Sequence, residues 1–202
     1  MNLQSLIEAG MSLVLNDPHH DLRLGFRCAV WSSLNENCDG TRRGDGHKRR
    51  VKLAALSIEK VIPLWESRFP ADRTPRQCLE LAQNLIVGDV TSATAERESN
   101  RLWTHCDDLL WKHEEKQSYV MVGYGAIQVI RGALSDEHFA CEKWNDSTTD
   151  SDVDPYDHDS TFFAAVAYSG GATWEEASDP QKRLEFWTWW LKSGFEEVLA
   201  AE

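Results

Sequence analysis

The stretch YVMVGYGAIQVIRGAL, residues 119–134, is apolar on nearly every side of a helical wheel and carries Arg131 as its one charge. A helix without a polar face is a buried helix, so this segment is expected at the centre of the fold. Gly123, Gly125 and Gly132 lower its helix propensity, but they allow close packing.

Outward from this segment the chain is punctuated as helices. On the N-terminal side, Thr91 opens a helix towards Glu115, with Leu102, Trp103, Cys106, Leu109 and Leu110 as inward candidates. Before it, Thr74-Pro75-Arg76-Gln77 reads as a capping residue, a first-turn proline and a capping-box glutamine, and that helix ends at Gly88. Ala54, Ile58, Val61 and Trp65 mark one helix face within residues 48–66, where Pro63 predicts a kink or an end near Ile62. Earlier still, helices are expected over residues 2–15 and His20–Asn35, followed by a glycine-rich loop over 37–47. On the C-terminal side, a polar, acidic connection over residues 144–161 leads to a short apolar helix, Phe162–Tyr168, stopped by Gly170-Gly171. Asp179-Pro180 opens the last helix, whose stripe is Leu184, Trp187, Leu191, Phe195 and Val198. Sustained strand alternation is absent from the sequence. The expected fold is all-α: one domain over residues 1–202, an antiparallel bundle of about seven to eight helices with an acidic late connection.

Composition narrows the function. The 202 residues contain 42% hydrophobic and 27% charged residues, a globular balance, with nine tryptophans to supply buried area. The formal charge of −12 repels phosphate backbones and anionic lipid, so neither nucleic acid nor membrane is an expected partner; a basic protein is. The N-terminus lacks the basic start and cleavage site of a secretion signal, and no apolar run approaches the roughly 18–20 residues of a membrane span. Cys28, Cys38, Cys78, Cys106 and Cys141 are odd in number and scattered, which reads as reduced thiols in a cytoplasmic protein.

Charge is unevenly distributed. From Trp144 to Gln181 there are nine Asp or Glu residues and no Lys or Arg. Arg42, Arg43, Lys48, Arg49, Arg50 and Lys52 form an earlier basic run without interleaved aromatics, read as a solvated loop and helix start; its charge opposes the helix dipole, which suggests acidic neighbours in the fold. Within the acidic stretch, Asp150, Asp152, Asp154, Asp157 and Asp159 form the candidate binding face for a basic partner. The same residues resemble the start of a calcium loop, but Pro155 and Thr161 stand where its glycine and glutamate belong, so no metal is expected. The plain alternative is a solvated loop in which Asp157 or Asp159 caps the next helix.

Catalytic motifs are missing. No G-x-G-x-x-G, P-loop, G-x-S-x-G or H-E-x-x-H occurs, and no cofactor is implied. His105, Asp107, Asp108 and His113 share one helix, and Cys106 lies among them, but a nucleophile there would need a base from elsewhere. A metal-dependent hydrolase using the late aspartates with His158 or His105 is one competing reading; a helical adaptor is another.

Two stretches carry a family resemblance. Between Lys48 and Asp89 lie Ile62-Pro63-Leu64-Trp65-Glu66 and Asp72-Arg73-Thr74-Pro75-Arg76; between Asp152 and Leu191 lie Ser169-Gly170-Gly171-Ala172-Thr173-Trp174 and Phe186-Trp187-Thr188-Trp189-Trp190-Leu191. In this order they resemble the bacterial immunity protein family Imm5, found beside toxins of polymorphic toxin systems. Trp190 departs from the expected tyrosine, and Ser193-Gly194-Phe195 from an expected Ala-Val-Pro. The resemblance implies an all-helical, non-enzymatic protein that neutralises a cognate toxin by binding it, and it carries over no catalytic residues.

Overall fold

The computed structural model describes residues 3–34, 44–113, 117–139, 144–145 and 147–200. Its helices are α1 (Leu3–Asn16), α2 (Leu24–Ser33), α3 (Asp45–Glu59), α4 (Ile62–Arg68), α5 (Thr74–Val87), α6 (Ser92–Lys112), α7 (Gln117–Leu134), α8 (Ser160–Ser169), α9 (Pro180–Trp189) and α10 (Phe195–Leu199). Short 3-10 turns occupy Asp136–Phe139, Asp150–Asp152 and Pro155–Asp157. No strand occurs among the described residues. The fold is an all-α bundle, as the periodicity predicts.

The apolar stretch is α7, and it is central. It packs against α3, α4, α5, α6 and α8. Val120, Val122, Ala126, Ile127, Val129 and Ile130 are fully buried on it. Its glycines permit this crowding. A Cβ on Gly123 would lie 2.6 Å from the Cys106 sulfur and 2.8 Å from the Trp65 ring. One on Gly125 would lie 2.6 Å from Ile58, 3.0 Å from Phe163 Cβ and 3.2 Å from the Ser160 carbonyl. Contacts below 3.0 Å require something to move, and a backbone carbonyl moves least easily.

Three of the buried tryptophans anchor their indole N–H groups. Trp65 donates to the Asp72 carbonyl at 2.9 Å, Trp187 to Asp21 at 3.2 Å and Trp190 to Ser57 at 3.1 Å. Each bond removes the cost of burying a polar atom.

Several punctuation marks act as read. Pro63 lies in the first turn of α4, so α3 and α4 are separate helices. Thr91 caps α6, Asp179 caps α9, and Gly88 and Gly170 close their helices at φ 93° and 86°. The start of α5 differs. Thr74 is already its first residue, and Asp72 supplies the bond, accepting from Thr74 N at 2.8 Å. The last helix differs as well: α9 runs through a π turn, Trp190–Gly194, into α10. Leu184 is only half-buried, while Phe186, Trp187 and Trp190 are fully buried. Trp189 is partly buried, with the Lys60 ammonium 5.1 Å from its ring centroid. Cys28, Cys78 and Cys106 are buried; Cys38 and Cys141 lie outside the described residues.

Candidate functional site

The five aspartates divide by direction. Asp152, Asp154 and Asp157 are exposed. Asp152 accepts from the backbone N–H and hydroxyl of Thr149, and Asp154 caps the turn at Pro155–Asp157 by accepting from Tyr156 N. Asp150 and Asp159 turn inward and are about 4% exposed. Both pair with Arg27 of α2. Arg27 uses every N–H of its guanidinium: Nη1 and Nη2 bond Asp150 at 2.9 and 2.5 Å, Nη2 and Nε bond Asp159 at 2.6 and 3.2 Å, and Nη1 also bonds the Leu22 carbonyl at 2.7 Å. Asp159 also caps α8, accepting from Thr161 N and Phe162 N.

Of the five candidate aspartates, three therefore face solvent and two are buried. Asp150 and Asp159 hold the acidic connection down onto α2 and have no surface to offer a partner. Burial works against the charge on Asp159, but Arg27 and two helix N–H groups hold its carboxyl below the usual range. For Asp150 burial outweighs Arg27, and its carboxyl is pushed up.

The hydrolase candidates do not converge. His105 Nε2 lies 2.6 Å from Asp72, whereas Asp107 accepts from the Tyr124 hydroxyl at 2.5 Å. The His113 ring packs 6.0 Å from Phe69. His158 contacts the Asp150 carbonyl at 2.9 Å and stacks on Phe162 at 4.0 Å. Burial pushes the Cys106 thiol far up, away from the thiolate a nucleophile needs. No group of three or more metal-ligating side chains gathers among the described residues.

The basic run divides too. Arg50 is buried and forms a bidentate pair with Asp136 at 2.8 and 2.5 Å. Its acidic neighbour thus lies in the turn just after α7. Lys48 pairs with Asp45 at 3.4 Å, and Arg42 and Arg43 lie outside the described residues.

Beside the acidic connection is a groove that local sequence reading does not reveal. It has a volume of about 800 Å³ and is built from α6, α7, α8, the turn at Tyr156 and the loop after α8. Trp103 packs on Tyr124 at 4.7 Å and on Tyr156 at 5.5 Å; Trp174 stacks over Phe162 at 6.0 Å. Tyr156 and Trp174 remain 65% and 55% exposed, which is unusual for large aromatics. Asp107, Glu175 and Glu176 line it, and no Lys or Arg does among the described residues. Arg183 fixes the loop that bears Trp174, donating to Ser169 Oγ, the Gly171 carbonyl and Ser178 Oγ at 2.8, 2.5 and 3.0 Å. The sequence signal for the groove was present but dispersed: an exposed Tyr in the acidic connection and a Trp in a Gly-rich loop.

A family model described as immunity protein Imm5 matches residues 7–197. The chain belongs to the Imm5 immunity protein family. That match spans nearly the whole helical bundle, including both halves of the resemblance and the groove between α6, α7 and α8. No curated protein matches the chain. No helix among the described residues is long and apolar enough to cross a membrane.

Proposed function

We propose that this chain binds and neutralises a cognate protein toxin, covering the toxin's active site or substrate-binding surface without catalysis of its own. The observation that carries this reading is the Imm5 match over residues 7–197. The formal charge of −12 supports it, because an acidic inhibitor is drawn to a basic toxin and associates faster with it. The outward carboxylates Asp152, Asp154 and Asp157 are the proposed toxin-facing charges, and Asp150 and Asp159 support them from below through Arg27. The cytoplasm is the proposed site of action.

The test is co-expression with the toxin domain of a toxin gene identified beside this chain's own gene. Protection of growth, together with a stable one-to-one complex of the purified proteins, is the expected result. Unabated toxicity at full expression of the folded chain, with no complex formed, would remove the reading.

A further inference from the structure

The groove between α6, α7 and α8 combines two properties seldom found together on an ordinary solvated surface. It is walled by aromatic rings, and among the described residues its acidic and basic lining side chains are all carboxylates. Tyr156 and Trp174 expose more than half their area beside it. These rings are held in place. Tyr156 packs on Trp103, and its carbonyl accepts from Gln128 Nε2 at 3.0 Å. Trp174 stacks on Phe162 in a loop fixed by Arg183. Asp179 N closes that loop onto the Ser169 carbonyl at 2.8 Å. Rigid, amphipathic aromatics of this kind lose little entropy on contact and often dominate binding energy.

The charge selects the occupant. Glu176 is exposed, and Glu175 holds the loop by accepting from Ala172 N at 2.6 Å. Asp107 lies deeper, bonded to Tyr124. Among the described residues, Arg131 is a nearby cation, and it is already engaged 4.4 Å from the Trp103 ring centroid. A guanidinium entering the groove meets aromatic faces and carboxylates at once, the two partners it matches best. A volume of about 800 Å³ suits a short segment of chain better than a lone side chain. The groove is also continuous with the acidic face, because Tyr156 sits between Asp154 and Asp157.

We infer that this groove receives an arginine-bearing segment of the neutralised toxin, with Tyr156 and Trp174 as aromatic platforms and Glu176 as its exposed counter-charge. The inference rests on the proposed immunity function.

Two arms test it and keep the two readings apart. In the first, the full chain binds that same toxin domain, and affinities of variants are measured by calorimetry. Trp174→Ala and Tyr156→Ala are expected to weaken binding by about tenfold or more each, and Glu176→Gln by several-fold. Trp174→Phe should retain most of the affinity. Trp111→Ala should change nothing, since Trp111 is 82% exposed on α6 and outside the groove. Thermal melts confirm that each variant is folded. Wild-type affinity in Trp174→Ala and Tyr156→Ala overturns the groove while leaving the immunity function standing. A loss in Trp174→Ala with none in Glu176→Gln and no salt dependence means an apolar occupant, and overturns the cationic assignment.

In the second arm, the peptide acetyl-Arg-Ala-Arg-amide and its citrulline counterpart are titrated against the full chain, and the indole N–H resonances are followed by NMR. Selective shifts at Trp174 and Trp103 with the arginine peptide, absent with citrulline, are expected. Equal shifts with both peptides, or shifts as large at Trp111, overturn the inference. This arm decides the groove even if the wild-type chain fails to bind the toxin domain, the result that removes the immunity reading instead.

Discussion

Arg27 has two buried carboxylates opposite its single charge, and the three groups are not equivalent. Buried ion pairs gain little over a well-packed apolar replacement, yet removing one member leaves the others buried and uncompensated. Arg27→Met should therefore cost about 3–5 kcal/mol in urea unfolding at neutral pH, because both Asp150 and Asp159 lose their partner. The two aspartates should respond differently. Asp159 is held ionised by Arg27 and the α8 N–H groups, whereas burial favours the neutral form of Asp150. Asp159→Asn should thus destabilise more than Asp150→Asn. Equal costs, or a larger one at Asp150, would contradict this division of charge. The sign with pH follows. A carboxyl whose folded pKa is depressed contributes stability above the unfolded carboxylate range, and that contribution is lost as pH falls through the folded value. The wild-type stability curve should accordingly fall on the acid side, and Asp159→Asn should fall less steeply below about pH 4, since it lacks that contribution throughout. Sequence alone identified Asp159 as a possible cap but not as an ion-pair member. Arg27 lies 132 positions away, and no local pattern joins them.

At the scale of elements, α7 was the most legible because burial on every side leaves an unmistakable composition. The close approaches at its glycines were legible as a possibility, and the neighbours were not. Gly125→Ala would bring a methyl group against Ile58, Phe163 and the Ser160 carbonyl, the start of α8. Overpacking of this kind costs about 1–3 kcal/mol despite alanine's better helix propensity. A chemical-denaturation midpoint above that of the wild type would show instead that α8 yields without strain. Boundaries set by proline, glycine and capping aspartate could be read because each acts on its own backbone. The start of α5 was misread at Thr74 because Asp72 was free to cap equally well by sequence, and the tertiary position of Trp65 favours Asp72: its indole donates to that residue's carbonyl. The π turn at Trp190–Gly194 had no local signal. It places Trp190 and Leu191 inside together, something a regular stripe of threes and fours does not anticipate.

At the scale of the whole molecule, net charge and family order were legible while the contact surface was not. The groove gathers residues from positions 103 to 177, and only the fold brings them to one place. The acidic connection was conspicuous in sequence, yet two of its five candidate aspartates are consumed in anchoring it. What remains outward should act chiefly on the speed of encounter. Long-range attraction between unlike charges raises the association rate, and exposed rim charges affect dissociation far less. The triple variant Asp152→Asn, Asp154→Asn, Asp157→Asn keeps acceptor oxygens for the bonds to Thr149 and Tyr156, so the connection stays folded. Its association rate with the toxin should drop several-fold to about tenfold at low salt, and its dissociation rate should change little. Raising the ionic strength shortens the Debye length to a few ångströms, so the two proteins' association rates should converge near 1 M salt. Stopped-flow measurement across salt concentrations reads both quantities. An unchanged association rate at low salt would mean that these three charges do not face the toxin, and would leave the groove as the remaining candidate for contact.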